Sequence, residues 1–288
     1  MDNVLNIRDI LNRAASDFEK SGSNTARLDA EVLFSAWLQA DRLEFYRTPE
    51  KIIGKEKISG FEGWIKRRAQ GEPVAYITGI KEFWSLPFEV NRDVLVPRPE
   101  TEILVEETIK TCRAMERKGL RILEIGVGSG AVSVSLAVEL PEACFTATDV
   151  SPGALFLSRK NARAHGVEGC IDFLSGDLFE PVSGLFDVVV SNPPYISTEE
   201  FERLPREIRE YEPQQALLAG TDGVFYHGKI IEGGRRCLKK GGWLLMEMGA
   251  GQNERIKKML RDSEAYSDIE TRRDYGGVER VIKARKAG

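Results

Sequence analysis

One stretch decides the fold class of this chain: Arg121-Ile122-Leu123-Glu124-Ile125-Gly126-Val127-Gly128-Ser129-Gly130. An apolar run leads into three closely spaced glycines, and an amphipathic run follows them. This order predicts a buried strand, a tight turn and a helix, because glycine lets the backbone approach a ligand without a Cβ clash. We therefore expect a ligand at this turn, bound by Glu124, Gly126, Val127, Gly128, Ser129 and Gly130.

Two acidic residues follow the next two apolar runs of the chain. Asp149 ends the run Ala143–Asp149, where a carboxylate can accept hydrogen bonds from two ribose hydroxyls. Asp177 and Leu178 follow the third run. Asp177 is placed to accept from the exocyclic amine of an adenine ring, with Leu178 against its face. A solvated loop aspartate is the alternative interpretation of Asp177.

The fourth apolar run, Phe186–Val190, leads into Ser191-Asn192-Pro193-Pro194-Tyr195. Each proline fixes its own φ near about −65° and pushes the preceding residue towards extended geometry. The loop therefore holds the carbonyls of Asn192 and Pro193 in fixed directions, at the strand ends where open α/β sheets bind ligands. A proline-rich turn that only ends a strand is the alternative. The glycine turn and Asp149 upstream favour the ligand site.

Strands and helices alternate from residue 121 onward. Strands are predicted at 121–125, 143–149, 170–174, 186–191, 242–248, near 266–272, and at 278–284. Helices are predicted at 130–140, 152–165, 222–240 and 252–263. The long connection 192–221 is expected to be functional. This alternation predicts an α/β fold with a Rossmann-like, mostly parallel, seven-stranded sheet in residues 103–288.

Residues 1–80 are predicted to form a small N-terminal helical domain. Three apolar stripes with helical spacing run through it: Ile7, Ile10, Leu11, Ala14 and Phe18; Leu28, Val32, Leu33, Ala36, Trp37 and Ala40; and Ile58, Phe61, Ile65 and Ala69. We expect these stripes to form the core of the domain. A role of this domain in substrate recognition stays open.

Residues 81–102 are predicted to form a β-hairpin linker with Asn91-Arg92-Asp93 at its turn. Two prolines then stiffen the segment Pro97–Glu102, where Glu100 and Glu102 suit the first turn of a helix. A capped helix start is one interpretation of this segment. A rigid wall of the ligand site is the other.

Bulk composition is that of an ordinary soluble protein of 288 residues, with a net charge of −4. The sequence contains no apolar run long enough for a transmembrane helix and no recognisable signal peptide. The four cysteines form no close pair, so we expect reduced thiols in a cytoplasmic protein. The two histidines have no neighbouring ligands, so we expect no metal site.

The glycine turn, the two acidic positions and the Asn-Pro-Pro-Tyr loop together resemble the class I S-adenosylmethionine-dependent methyltransferases. That resemblance implies S-adenosyl-L-methionine as cofactor and S-adenosyl-L-homocysteine as product. Asn/Asp-Pro-Pro-Tyr is the superfamily's motif for methylating planar nitrogens. Many of these enzymes have Asp where Glu124 stands and Trp where Leu178 stands. We expect these two departures to affect the affinity for the cofactor.

Further segments resemble the release-factor glutamine methyltransferases (the PrmC/HemK family) over roughly residues 70–285: Gly71–Gly79, Pro97–Glu102, Ser191–Ile196, Glu212-Pro213 and Asp222-Gly223. The resemblance implies that the methyl acceptor is the glutamine of a Gly-Gly-Gln motif in class I peptide chain release factors. It implies catalytic and substrate-binding roles for Asn192, Pro193, Pro194 and Tyr195. Arg98 and Glu100 are further candidates to line the substrate pocket.

Three alternative functions remain open from the sequence. A near relative methylates a glutamine on a large-subunit ribosomal protein and has Ser-Pro where this chain has Pro99-Glu100, which favours the release-factor branch. A nucleic-acid amino-methyltransferase acting on adenine N6 or cytosine N4 would use the same loop, but the net charge is negative and no Lys/Arg stripe appears. A sensor without catalysis would not need the Asn192 loop. We expect a monomer without nucleic-acid or membrane partners.

Overall fold

The computed structural model describes residues 5–288 and divides the chain into two compact units. The first unit comprises the described residues up to Ile80 together with Pro205–Tyr211. The second comprises Lys81–Leu204 and Glu212–Gly288. A short piece of the connection after the Asn-Pro-Pro-Tyr loop therefore belongs to the first unit, which no sequence pattern predicted.

The first unit is mainly helical. Its elements are β1 (Leu5–Asn6), α1 (Ile7–Lys20), α2 (Ala26–Leu38), α3 (Arg42–Arg47), β2 (Ile52–Ile53), α4 (Lys55–Ala69), α5 (Val74–Thr78) and a later short helix, Arg206–Tyr211. The Asn6 side chain caps the start of α1 by accepting from the Asp9 N–H. The whole predicted stripe of α1 is buried in this core, which confirms that prediction.

The predicted stripe of α2 was only partly right. Leu33 is fully buried as predicted, but Leu28 is 45% exposed, and Ala30 and Phe34, which the stripe left out, are fully buried. The reason is that α2 also buries Asp29, an acidic side chain that a search for apolar residues alone excludes from the core face. The aromatic ring of Phe34 packs against that of Phe61 on α4, with ring centroids 4.9 Å apart.

A buried ion-pair network accounts for the burial of Asp29. Arg68 on α4 is 7% exposed, and its Nε donates to Asp29 Oδ2 at 2.8 Å. Its Nη1 donates to Glu207 Oε2, also at 2.8 Å. Because Glu207 lies in Arg206–Tyr211, this network fastens the late helix to the core of the first unit.

The second unit contains the large sheet. Its strands are β3 (Ile80–Phe83), β4 (Leu86–Glu89), β5 (Arg121–Ile125), β6 (Cys144–Asp149), β7 (Ile171–Ser175), β8 (Phe186–Ser191), β9 (Leu238–Glu247), β10 (Tyr266–Arg273) and β11 (Glu279–Lys286). Its helices are α6 (Glu102–Ala114), α7 (Ala131–Glu139), α8 (Pro152–Ala164), α9 (Thr198–Glu202), α11 (Phe225–Cys237) and α12 (Asn253–Asp262). The label α10 belongs to the late helix of the first unit, Arg206–Tyr211. Single turns of 3₁₀ helix lie at Pro99–Thr101, Glu168–Cys170 and Gln214–Ala216.

The sheet has seven strands in the order β10-β11-β9-β8-β5-β6-β7. The pairs from β9 to β7 are parallel, and β11 runs antiparallel to both β9 and β10. Alternate residues of β5 enter different cores: Ile122 packs on one face and Leu123 on the other. Helices therefore cover both faces, and the prediction of a mostly parallel, Rossmann-like sheet is confirmed.

The predicted hairpin turn was wrong. The hairpin β3–β4 turns at Trp84 and Ser85, whose φ angles are 54° and 57°, instead of at Asn91–Asp93. Two residues with positive φ form the tight turn that suits a hairpin, but Trp-Ser is not a typical pair for it. The Trp84 N–H donates to Glu102 Oε1 at 2.8 Å, which supports the turn from outside. Asn91 instead forms a local turn by accepting from the Asp93 N–H.

The end of the predicted helix 222–240 was also wrong. Helix α11 ends at Cys237, and β9 begins at Leu238, so residues 238–240 are extended. The pairing of β9 with β8 shifts register between Phe186 and Val188, which accommodates Gly241 and Gly242 within the strand. Two adjacent glycines indicate a break in regular secondary structure, but in the structure they lie within strand β9.

Candidate active site at the carboxyl edge of the sheet

The candidate site lies where β5, β6 and β8 end, and β5 lies between the other two strands in the sheet. Chain connections leave β5 towards β6 on one side while β8 lies on the other, which is the position where open α/β sheets bind ligands. A cavity of about 410 Å³ opens there. It is lined by most of the predicted site residues, namely Arg98, Glu124, Gly126, Val127, Gly128, Ser129, Asp149, Asp177, Leu178, Asn192, Pro193 and Pro194. Glu100, Gly130 and Tyr195 lie outside this lining.

The glycine turn forms one wall of the cavity. The N–H groups of Gly126 and Val127 both donate to the Thr148 carbonyl at 2.9 Å, which joins the turn to the end of β6. Gly126 has φ 79° and Gly128 has φ 53°. These left-handed conformations favour glycine, and they bring bare backbone to the cavity surface.

Asp149 stands at the end of β6, as predicted. Its Oδ2 accepts from the Gly128 N–H and its Oδ1 from the Ser151 N–H, both at 2.9 Å. These two bonds fix the carboxylate at the cavity wall. Each carboxylate oxygen has a second acceptor position, so both can still bind ligand hydroxyls.

Glu124 lies in β5, just before the glycine turn, and is 2% exposed. Its Oε2 accepts from both the backbone N–H and the hydroxyl of Ser133, near the start of α7. Burial raises the pKa of Glu124 to about 8, although the Ser133 hydrogen bonds oppose that rise. The side chain therefore fastens β5 to α7, and the extra methylene of Glu over Asp is accommodated within the protein.

Asp177 and Leu178 lie on the other side of the cavity, after β7. Asp177 is exposed to solvent within the cavity. Leu178 has φ 49°, and its carbonyl accepts from the Thr148 hydroxyl at 3.1 Å. The backbone of the pair is thus fixed to the end of β6, while the Leu178 side chain stays in the lining.

Asn192 follows the last residue of β8 and lines the cavity. Its Nδ2 donates to Thr101 Oγ1 at 3.0 Å. Within residues 5–288, no donor is hydrogen-bonded to Asn192 Oδ1 or to the Pro193 carbonyl. Two acceptors of the loop therefore remain available to a ligand.

Tyr195, the last residue of the Asn-Pro-Pro-Tyr loop, does not line the cavity. Its hydroxyl donates to Glu247 Oε1 at 3.3 Å. Burial raises the pKa of Tyr195 well above its usual range. The residue therefore supports the loop from behind as a neutral phenol.

Glu247 and His227 are buried polar residues that the sequence reasoning missed. Glu247 ends β9 with no exposed surface, and burial raises its pKa to about 7. His227 Nε2 donates to the Glu247 carbonyl at 2.9 Å, and burial lowers the His227 pKa to about 4. An acidic residue ending the apolar run of β9 was the available signal, because Asp149 was found by the same pattern.

Gln252 holds the backbone behind the Asn-Pro-Pro-Tyr loop and was also missed. Its Nε2 donates to the carbonyls of Tyr195 at 2.8 Å and Gly223 at 3.2 Å. Its Oε1 accepts from the Gly249 N–H at 2.9 Å. A Cβ on Gly223 would lie 2.7 Å from the Tyr195 carbonyl oxygen, so the backbone approach here requires glycine.

Arg98 and Glu212 account for the stiff segment before α6. Arg98 Nη2 donates to Glu212 Oε1 at 2.5 Å, and the Val96 N–H donates to Glu212 Oε2 at 3.1 Å. Glu212 is buried. Pro97, Arg98 and Thr101 line the cavity, which agrees with the interpretation of this segment as a wall. The Arg98 guanidinium is already engaged by Glu212.

Comparisons with known proteins identify the family of this chain. A family model for the PrmC N-terminal domain matches residues 9–79, and one for the methyltransferase small domain matches residues 100–208. The release factor glutamine methyltransferase of Geobacter sulfurreducens is 39% identical over 98% of this chain and 97% of its own length. The chain belongs to the release factor glutamine methyltransferase family. The relative from Coxiella burnetii is 40% identical over 92% of this chain and 93% of its own length.

A solved structure supports the fold of this family member. The crystal structure of a methyltransferase from Pyrococcus furiosus superposes with a TM-score of 0.53 at 20% identity, covering 79% of this chain and all of that chain. The expectation from the sequence resemblance is confirmed: this chain is a methyltransferase with a class I fold.

A second cavity of about 670 Å³ lies apart from this site and shares no lining residue with it. Its cations come from separate segments of the chain: Lys110, Arg117, Lys240, Arg272, Lys283 and Arg285. The sequence shows no basic stripe because folding is what brings these residues together. Glu107 pairs with Lys110, Arg272 and Lys283, so the basic charge is partly neutralised.

Among residues 5–288, no three His, Cys, Asp or Glu side chains are grouped as a metal ion would require. Over the same part of the chain, no helix is long and apolar enough to span a bilayer.

Proposed function

We propose that this methyltransferase modifies the side-chain nitrogen of the glutamine in the Gly-Gly-Gln motif of class I peptide chain release factors, with S-adenosyl-L-methionine as methyl donor and S-adenosyl-L-homocysteine as product. The observation that carries the proposal is the pair of free acceptors at Asn192 Oδ1 and the Pro193 carbonyl, in the same cavity as Asp149 and the glycine turn. The name of the curated relatives supports the choice of substrate.

The cavity residues fit the proposed cofactor. Asp149 presents both carboxylate oxygens at the wall, which suits the two ribose hydroxyls of an adenosyl group. Asp177 suits an exocyclic amine, and Leu178 suits the face of an adenine ring. The volume of about 410 Å³ lies within the usual range for a small-molecule site. When bound, S-adenosylmethionine supplies an electrophilic methyl group on a sulfonium.

The free acceptors suit a carboxamide acceptor. An amide nitrogen is a poor nucleophile, since its lone pair is delocalised into the carbonyl, as the barrier of ~18–20 kcal/mol to peptide rotation indicates. Asn192 Oδ1 and the Pro193 carbonyl can each accept one N–H of the glutamine NH₂. Two acceptors position the nitrogen and stabilise the positive charge that develops on it. The nitrogen becomes acidic only after attack and then loses one proton to water, so no strong base is needed beforehand.

We further propose that residues 1–80 recognise the release factor and that residues 81–102 link them to the methyltransferase domain, 103–288. The match of residues 9–79 to the PrmC N-terminal domain supports the first part. A short peptide containing Gly-Gly-Gln would lack contacts outside the motif. We expect a much higher KM for that peptide than for the whole release factor, with a smaller change in kcat. Equal KM values would refute the recognition role.

The remaining alternatives differ in the methyl acceptor. A nucleic-acid methyltransferase would need a basic surface next to the site, whereas the basic cavity of this protein shares no lining residue with the site.

We propose a monomer in the cytoplasm without nucleic-acid or membrane partners. The four cysteines are free thiols, which suits a reducing compartment.

Incubation with methyl-labelled cofactor tests the proposed function. Equal amounts of a class I release factor, large-subunit ribosomal proteins and duplex DNA serve as acceptors, and label is counted in each. A release factor whose motif glutamine is replaced by alanine is the matched control. We expect label only in the intact release factor. Label in ribosomal protein or DNA instead would establish the corresponding alternative.

A further inference from the structure

The orientation of the Asn192 amide decides whether the acceptor clamp can work. A side-chain amide has an acceptor oxygen at one end and a donor NH₂ at the other. The substrate NH₂ offers donors, so only the oxygen end of Asn192 can bind it. If the amide were rotated by half a turn, two NH₂ groups would face each other. Some neighbouring group must therefore fix which end faces the cavity.

Thr101 is the neighbour that contacts the other end of the amide. It is buried, it lies at the end of the 3₁₀ turn Pro99–Thr101, and its Oγ1 accepts from Asn192 Nδ2 at 3.0 Å. A hydroxyl has one proton and can also donate it. If that proton pointed at Asn192, the amide oxygen would turn towards Thr101. The proton must therefore be engaged elsewhere.

Glu247 has a buried carboxyl group that can accept that proton. Its carboxyl is fully buried, Oε1 accepts from the Tyr195 hydroxyl at 3.3 Å, and no hydrogen-bond partner within standard geometry reaches Oε2 in residues 5–288. The Thr101 hydroxyl acts on the same carboxyl and lowers its pKa against the effect of burial. An ionised carboxylate only accepts hydrogen bonds, so its neighbours must direct their protons towards it.

We propose that Thr101 and Glu247 are positioning residues that fix the Asn192 amide with its oxygen towards the methyl acceptor. The two hydrogen bonds then donate in the same direction: Asn192 Nδ2–H donates to Thr101 Oγ1, and the Thr101 hydroxyl donates to the Glu247 carboxylate. The assignment rests on the proposed function, since it explains how the glutamine NH₂ is bound. This series of hydrogen bonds also draws electron density towards Asn192 Oδ1, which makes that oxygen a stronger acceptor.

A pair of substitutions at Thr101 separates orientation from packing. Thr101→Val keeps the shape and removes the hydroxyl, whereas Thr101→Ser keeps the hydroxyl and removes a methyl group. For Thr101→Val we expect kcat on the release factor to fall by about 10²-fold, the scale of a misplaced reacting group, with the cofactor Kd unchanged by calorimetry. Thr101→Ser should recover most of the rate. Thr101→Val with the wild-type kcat, or Thr101→Ser as slow as Thr101→Val, would overturn the proposal.

The pH profile of kcat tests the role of Glu247. Burial raises its pKa to about 7, so the carboxylate that accepts from Thr101 forms as pH rises through that value. Besides Tyr195, the charged groups that act on it are Arg280 and Glu100. His227, whose pKa is about 4, stays neutral in this range.

We expect wild-type kcat, at saturating cofactor and release factor, to rise with pH through about 7. Glu247→Gln should lack that rise and stay at the low-pH rate, since a carboxamide offers an NH₂ at every pH. An unchanged rise in Glu247→Gln would overturn the role of Glu247. If Glu247→Gln does not fold, the Thr101 pair still decides the proposal. Failure of the proposed function is a separate result: wild-type protein itself would then not methylate the release factor.

Discussion

Asn192 Nδ2 donates a hydrogen bond to Thr101 Oγ1 at 3.0 Å, although 91 positions separate the two residues in the chain. This bond joins the end of β8 to the turn that begins α6. It leaves Asn192 Oδ1 free at the cavity, beside the free carbonyl of Pro193.

Asn192→Ala removes one of the two acceptors of the substrate NH₂. Two prolines hold the loop, so the backbone should keep its path. We expect kcat to fall by about 10²–10³, or roughly 3–4 kcal/mol, with cofactor affinity retained. Asn192→Asp keeps an acceptor and should show intermediate activity. Steady-state kinetics on the release factor measure both, and near-normal turnover of Asn192→Ala would refute the clamp.

Asp149→Ala should weaken cofactor binding. The carboxylate is fixed by Gly128 and Ser151, and each lost hydrogen bond to a charged acceptor costs about 1.5–3 kcal/mol. Titration calorimetry with S-adenosyl-L-homocysteine measures the change. Asp172→Ala, at an exposed aspartate on β7 outside this cavity, is the control. Unchanged affinity in Asp149→Ala would remove this residue from the cofactor site.

Gly223→Ala should lower kcat more than its backbone strain alone explains. Gly223 has φ 73°, and an added Cβ would lie 2.7 Å from the Tyr195 carbonyl oxygen and 2.6 Å from Gln252 Nε2. The collision should displace the Asn-Pro-Pro-Tyr loop. Gly251→Ala is a matched control, with φ 82° and nothing within 4 Å of the added Cβ. Both variants share the strain, so equal kcat values in the two would contradict the prediction.

Arg68→Ala should destabilise the first unit strongly. Arg68 is buried against Asp29, and removing one partner of a buried ion pair costs about 3–5 kcal/mol. Arg13→Ala, which breaks an exposed pair with Glu62, should cost at most about 1 kcal/mol. Denaturant unfolding followed by tryptophan fluorescence compares them, since Trp37 and Trp64 pack in this unit. A similar loss in both variants would show that the Arg68 network contributes little.

Glu124 should make stability depend on pH near neutrality. Its folded-state pKa of about 8 lies above the ordinary value of 4.5, so between these values the folded state keeps a proton that the unfolded state has released. The free energy of unfolding should therefore fall as pH rises from about 4.5 to 8. Glu124→Gln should flatten that fall, whereas Glu142→Gln, at an exposed glutamate, should not. Denaturant midpoints across this range measure it, and an unchanged slope in Glu124→Gln would exclude this source.

The sheet and the residues at its strand ends were predictable because they depend on local patterns. Strands β5 and β8 are apolar runs followed by turn residues, and the predicted bounds 121–125 and 186–191 agree with the structure. Gly128 and Asn192 follow directly from these strands, and so both could be located in the sequence. The same pattern at β9 would have indicated Glu247.

The rest depends on contacts between distant parts of the chain. The turn at Trp84 is supported by Glu102, so no local turn signal marks it. Thr101 looks like a helix-start residue until folding brings Asn192 against it. Asp29 is buried because Arg68 reaches it, which a search for apolar stripes cannot detect.

The central claim is that this site methylates the side-chain nitrogen of one glutamine, and fragment mass spectrometry of the substrate tests it most directly. A class I release factor is incubated with S-adenosyl-L-methionine and the wild-type protein, then digested and fragmented. We predict one added methyl group, located on the side chain of the Gly-Gly-Gln glutamine, and almost none with Asn192→Ala. A methyl group at any other residue, or an unmodified release factor after reaction with the folded, cofactor-binding wild-type protein, would contradict the account.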